Sequence, residues 1–152
     1  MIKLLIIILA CLNLFNVFLP KTMQFIRDTI YANEFLYAVN EWNKLNAVTI
    51  LPSNSIYYDV RVTDYYDNDH SAPLAHTIIN SNPLPAIIEF NTFYFSSMTY
   101  YERVKTAMHE LGHTLGLEEF TDIDTPNNVM VQGLRSMIKL GPADIGAYRI
   151  RW

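Results

Sequence analysis

Residues 109–119 read HELGHTLGLEE, and this segment, here named the histidine string, constrains the chain more than any other segment. His109 and His113 are four residues apart, so a helix places both imidazoles on one face, where they can bind a single metal ion. Glu110 lies beside them and can take a proton from water that the metal activates. Gly116 permits the backbone conformation with which helices commonly end. The string therefore predicts a helix with two metal ligands and a general base, which stops at a glycine.

The third metal ligand is predicted to come from the turn that follows Gly116. Glu119 is the candidate, because two histidines with one glutamate form a known catalytic zinc set. Glu118 and Asp122 are alternatives if the turn has a different shape. Other sites with this helical pattern take a glutamate from a separate downstream helix, but no glutamate follows residue 119 here. The sequence therefore favours a ligand from the turn itself.

The extended string resembles the zinc signature of the metzincin peptidases, H-E-x-x-H-x-x-G-x-x-H, with glutamate in the last position. Residues 128–131, Asn-Val-Met-Val, here named the methionine segment, resemble the Met-turn of that family. Residues 140–148 resemble the C-terminal helix of matrixin-type members. Residues 35–50 resemble their first long helix and the strand after it, and residues 87–91 the strand before the active-site helix. The resemblance covers most of residues 22–152.

The resemblance implies an α+β fold of the zincin type over residues 21–152. Its parts would be a mixed twisted sheet, a long N-terminal helix, an active-site helix and a C-terminal helix. The implied activity is that of a monomeric zinc endopeptidase acting on proteins or peptides. The strand at residues 86–90 would line the cleft and pair with an extended substrate.

The resemblance also implies roles for single residues. One catalytic Zn²⁺ would be held by His109, His113 and Glu119, and Met130 would form an apolar floor beneath it. Glu110 would act first as general base and then as general acid. Glutamate stands where the family usually has histidine, so we expect a weaker Lewis acid than three histidines give.

A second metal site is a weaker prediction. Residues 64–70, DYYDNDH, have oxygen-rich spacing that suits Ca²⁺. His76 resembles a structural-zinc histidine of matrixins, and Glu89 falls near another such position. The remaining ligands of that site do not align, and short acidic clusters are common on surfaces. We therefore expect residues 64–70 to form a solvated loop.

Residues 1–20 are predicted to be a targeting segment, because Lys3 precedes a short apolar run. A cleaved signal peptide, a lipid anchor on Cys11 and an uncleaved membrane anchor are all consistent with this pattern. The expected location is therefore secreted, or membrane-anchored and facing outside. Cys11 is the single cysteine of the chain, so residues 21–152 form no internal disulfide.

Hydrophobic patterning predicts the remaining secondary structure. Strands are expected at residues 23–30, 47–51, 56–63, 74–79 and 86–90, and an amphipathic helix at residues 34–45 with Asn33 as its N-cap. Thr99 and Glu102 form a capping box that opens the active-site helix. The buried face of that helix is expected to comprise Val104, Ala107, Met108, Leu111 and Leu115.

Charge and length limit the function classes. A net charge of −4 without a basic stripe argues against a nucleic-acid partner. The 152 residues suit one small domain after an N-terminal segment. Two alternatives to a peptidase stay open at this point. One is a catalytically inactive zinc-binding module, and the other is a membrane-tethered interaction protein in which the histidines are incidental.

Overall fold

A computed structural model describes residues 21–81, 83–121 and 126–152. Within these ranges the chain forms a mixed α/β fold with a five-stranded sheet and four helices, which is compatible with the predicted α+β class. The strands are β1 (Lys21–Asp28), β2 (Val48–Pro52), β3 (Val60–Tyr65), β4 (Ala75–Ile78) and β5 (Ala86–Asn91). The helices are α1 (Ala32–Asn43), α2 (Thr92–Phe95), α3 (Tyr100–Thr114) and α4 (Pro142–Arg151).

The sheet has the strand order β2-β1-β3-β5-β4. Four strands run parallel, and β4 pairs antiparallel with β5 at one edge. Because β5 is paired with β3 on one side and β4 on the other, it has no free hydrogen-bonding edge. The expectation that the strand at residues 86–90 pairs with a substrate is therefore wrong. The free edge on this side of the sheet belongs to β4.

Helix α3, which contains His109 and His113, is held between α1 and the β4 edge of the sheet. Helix α1 packs against α3 and β2, and α3 also contacts β4 and β5. The buried indole of Trp42 donates a hydrogen bond from Nε1 to the carbonyl oxygen of Met108, at 3.0 Å. Its ring lies 5.7 Å from that of Tyr148, whose hydroxyl accepts the N–H of Val48 at 2.7 Å. These contacts fix α3 against the first and last helices.

The predicted start of α3 is confirmed. Thr99 accepts the N–H of Glu102, and the Glu102 carboxylate accepts the N–H of Thr99, which together make a capping box. All five apolar residues predicted for the buried face of the helix are buried. Local sequence therefore determines how this helix begins and which face it turns inward.

Two predicted boundaries are wrong. Asn33 does not cap α1, because the helix begins at Ala32, after a turn in which the Thr29 hydroxyl accepts the N–H of Tyr31. The strand predicted at residues 56–63 begins only at Val60. The residues just before it form a loop in which the Ser53 hydroxyl donates to the carbonyl oxygen of Tyr57.

The targeting prediction for residues 1–20 lies outside the described residues. Among the residues that are described, no helix combines the length and the apolar character needed to cross a membrane.

Candidate metal centre

The two histidines of the histidine string lie close together on α3. The Nε2 atoms of His109 and His113 are 3.1 Å apart. Their Nδ1 atoms lie against carbonyl oxygens, that of His109 at 2.9 Å from Val129 and that of His113 at 3.0 Å from Leu117. A carbonyl oxygen only accepts, so each Nδ1 carries a proton, and a neutral ring of this tautomer presents a lone pair on Nε2.

This donor arrangement fits a zinc ion. The two Nε2 atoms lie 3.1 Å apart, so a single cation can contact both of them. Tetrahedral zinc with nitrogen ligands at 2.0–2.1 Å separates those nitrogens by about 3.3 Å, close to the observed distance. Burial, followed by the nearby charge of Lys105, lowers the pKa of His109 to about 4. The ring is therefore neutral at physiological pH, as a metal ligand requires.

Glu119 is the acidic residue that joins the two histidines. Its Oε1 lies 3.8 Å from Nε2 of His109, and its side chain is 45% exposed. Two ligands of one tetrahedral zinc ion are about 3.3 Å apart, so a shift of a few tenths of an ångström would give this spacing. Within the described ranges, these three residues are the one group of His, Cys, Asp or Glu side chains with metal-ligand spacing. Glu118 is exposed at the cleft, and Asp122 lies outside the described residues.

The turn after α3 forms as predicted. Gly116 adopts φ +80°, a conformation that disfavours other residues. The N–H of Leu117 then returns to the carbonyl oxygen of Gly112 at 3.1 Å. The turn therefore brings the Leu117 carbonyl to His113 and carries the chain back toward Glu119.

The predicted general base, Glu110, lies in the same cleft but is itself buried. Burial raises the pKa of Glu110, and a hydrogen bond from the Thr77 hydroxyl to Oε2, at 2.7 Å, partly offsets that effect. The cleft has a volume of about 730 Å³ and is bordered by residues 72–77 on one side and by Gln132 and Gly133 on the other.

Met130 packs against the helix between the two histidines. Its side chain is fully buried and lies against Gly112, where a Cβ atom would overlap the Met130 sulfur. Gly112 therefore lets the methionine segment approach the backbone of α3. The apolar floor beneath the metal, which the resemblance implies for Met130, stays a prediction.

The methionine segment is fixed to the start of α4. The buried carboxylate of Asp144 accepts the N–H groups of Val129 at 2.8 Å, Met130 at 3.0 Å and Gly141 at 2.7 Å. In return, the side-chain oxygen of Asn128 accepts the N–H of Asp144 at 3.2 Å. The contacts of Asp144 therefore hold the methionine segment in place.

Lys105 also borders the cleft, one helical turn before His109. It is 2% exposed, and its ammonium group donates to the carbonyl oxygens of Val131 at 2.5 Å and Gly133 at 3.1 Å. Burial lowers its pKa to about 8. Along the described stretches of chain, no carboxylate lies within 4.0 Å of this ammonium group. Lys105 therefore joins α3 to the segment after Met130 through two hydrogen bonds. Burial of its ammonium group disfavours the charged form.

Other residues considered as metal ligands in the sequence are engaged in hydrogen bonds with protein groups. Asp64 accepts the Thr29 hydroxyl, and Asp69 accepts the N–H of Ser71. His76 and Glu89 form a direct hydrogen bond of 2.9 Å between Nε2 and Oε2. In the described part of the chain, these residues do not gather into a group of three metal ligands. A calcium site at residues 64–70 therefore has no support from this geometry.

Sequence reasoning missed three residues of the site. A lone glycine inside a helix often marks close packing, so the sequence offered a reason to expect a close contact at Gly112. Lys105 interrupts the apolar face of α3, and a lysine at such a position indicates a specific polar contact. Nothing in the sequence pointed to Thr77, because its contact with Glu110 joins a strand to a helix.

No protein-family model matches the chain, and no match to its sequence is found among curated proteins.

Proposed function

We propose that this chain is a zinc-dependent endopeptidase of the metzincin type, with a matrixin-like arrangement of helices and strands. The observation that carries the proposal is the pair of Nε2 atoms, 3.1 Å apart, with one glutamate between the two histidines in the sequence and another in the turn after them. Glu119 approaches the pair as a third ligand, and Glu110 lies one residue from His109 as a base. The methionine segment and its contacts with α3 support the same conclusion.

Each residue then has a separate task. Zinc, when bound, supplies a Lewis acid that acidifies water and polarises the scissile carbonyl. His109, His113 and Glu119 would hold it and leave one side open to the cleft. Glu110 accepts the proton of the attacking water and later delivers it to the leaving amine.

The free edge of β4 supports a peptide substrate. This strand borders the cleft beside the proposed metal ligands and, among the described residues, has no partner strand on its outer edge. An extended peptide added to that edge would place its backbone across the cleft. We further propose, from the pattern of residues 1–20, that the protein is exported and either released or anchored outside, and that it acts as a monomer.

The test is hydrolysis of a mixed library of quenched peptides by the purified, zinc-loaded full chain. Glu110→Gln serves as the matched variant, because it keeps the shape of the side chain and removes the base. We expect the wild type to cleave and the variant to fall by about 100-fold or more, with zinc content unchanged.

Two results would contradict the proposal. If both proteins bind zinc and neither cleaves, the chain is a catalytically inactive zinc-binding module. If the wild type does not retain zinc in the presence of a micromolar chelator, the histidines are incidental and the chain is an interaction protein.

A further inference from the structure

Thr77 makes a side-chain contact that the proposed chemistry does not by itself require. Its Oγ1 lies 2.7 Å from Oε2 of Glu110 and 3.0 Å from the carbonyl oxygen of the same residue. A hydroxyl has one proton to donate, and the shorter contact is the one to the carboxylate. Across the described stretches of chain, Thr77 provides the hydrogen bond that this carboxylate receives.

The contact matters because Glu110 is buried. A carboxylate that is 5% exposed has lost most of its hydration, and an ionised one without a donor is strongly disfavoured. The Thr77 hydroxyl supplies such a donor and also restricts rotation of the carboxylate. With Oε2 bound in this way, Oε1 is the oxygen left to accept a proton.

We propose that Thr77 is a positioning residue for Glu110, which holds Oε2 so that Oε1 faces the reacting water. The inference rests on the proposed peptidase function. Thr77 belongs to β4, the strand whose free edge borders the cleft. One short strand therefore orients the base and also provides the edge on which the substrate would lie.

The alternative is that Thr77 only joins β4 to α3. Both roles predict some loss of stability when the hydroxyl is removed, so stability does not separate them. A positioning role predicts a selective loss of kcat, because substrate binding to the β4 edge uses the backbone and not the hydroxyl. It also predicts that serine, which keeps the hydroxyl, restores the rate.

The experiment compares Thr77→Val, Thr77→Ala and Thr77→Ser in the zinc-loaded full chain, with a peptide that the wild type cleaves. Thr92→Val is the control, because the Thr92 hydroxyl likewise donates a hydrogen bond to another element of the fold, to the carbonyl oxygen of Tyr65 at 3.0 Å, outside the cleft. Zinc content and the melting temperature are measured for each protein. The two variants without a hydroxyl guard against one of them failing to fold.

We expect Thr77→Val and Thr77→Ala to lower kcat by about 10-fold or more, as for loss of a hydrogen bond to a charged group. KM should stay within about twofold, Thr77→Ser should keep at least about a third of the rate, and Thr92→Val should match the wild type. Wild-type kcat in Thr77→Val, or an equal loss in Thr77→Ser, would overturn the inference alone. A zinc-bound wild type that cleaves no peptide overturns the proposed function, and this inference falls with it.

Discussion

His109 donates its Nδ1 proton to the carbonyl oxygen of Val129, 2.9 Å away, across 20 residues of sequence. Val129 in turn donates its N–H to the carboxylate of Asp144, at 2.8 Å. The start of α4 therefore orients an imidazole on α3 through the methionine segment. Partners of this kind fix the ring and the tautomer of a metal-binding histidine.

Replacement of Asp144 should weaken zinc binding although Asp144 does not touch the metal position. In Asp144→Asn, one carboxylate oxygen becomes an NH₂ group that faces backbone donors, so the methionine segment loses part of its anchor. We expect the zinc dissociation constant to rise by about 10- to 100-fold. A competition titration against a chromophoric chelator measures it. Asp59→Asn is the control, since Asp59 also accepts a backbone N–H, that of Gln24, far from the cleft. Equal affinities in the two variants would refute the relay through Val129.

The identity of the third ligand can be tested with two neighbouring residues. Glu119→Ala should lower zinc affinity by roughly 100-fold, because it removes one of three protein ligands. Glu118→Ala should leave the affinity unchanged, although Glu118 also borders the cleft. Zinc affinity is measured by the same chelator competition, with peptide hydrolysis as a second reading.

A third variant, Glu119→His, tests whether position 119 supplies the third ligand. A third imidazole should preserve zinc binding, and we expect it to raise the rate of hydrolysis because a neutral ligand leaves more positive charge on the metal. A loss of zinc in Glu118→Ala, with none in Glu119→Ala, would assign the site to Glu118.

The features that the sequence predicted correctly are those that neighbouring residues determine. The proximity of His109 and His113 on α3 follows from their spacing, and the turn at Gly116 follows from its backbone freedom. The capping box at Thr99 and Glu102 is likewise a contact across one turn of helix. None of these depends on how distant segments of the chain meet.

The features that were wrong or missed depend on contacts between distant segments. The donor to the Glu110 carboxylate comes from Thr77, 33 residues earlier, and no local pattern encodes that meeting. Helix α1 starts where it does because Asp64 on β3 binds Thr29 and fixes the turn before the helix. The free edge belongs to β4 rather than β5, which is a property of strand order. Hydrophobic alternation gives strands but not the order in which they pair.

Two glycines in helices should respond oppositely to alanine. In Gly112→Ala, the new Cβ would overlap the Met130 sulfur and press on Trp42, so we expect a loss of about 1–3 kcal/mol in the free energy of unfolding. In Gly146→Ala, the Cβ enters open space within α4, and we expect a gain of about 0.5–1 kcal/mol. Urea unfolding measures both. A neutral Gly112→Ala variant would mean that Met130 does not pack closely on α3.

Lys105 should make the folded protein more stable as the pH rises above neutrality. Burial lowers its pKa in the folded protein to about 8, whereas the ordinary value of 10.5 applies to the unfolded chain. Between these two values the unfolded chain binds the proton that the folded protein has released. The free energy of unfolding therefore increases with pH in this window, and the cost of the buried charge is fully present below about pH 8.

The matched variant is Lys105→Met, which keeps an unbranched side chain of similar length and removes the charge. Urea unfolding of the zinc-saturated proteins between about pH 7 and pH 9.5 should show the wild type gaining about 1–2 kcal/mol relative to the variant. Tyrosines and the metal site titrate in both proteins, so their contributions cancel in the comparison. Parallel pH dependences would mean that the Lys105 ammonium is as well stabilised in the folded protein as in water. The carbonyl oxygens of Val131 and Gly133 would then fully replace its hydration.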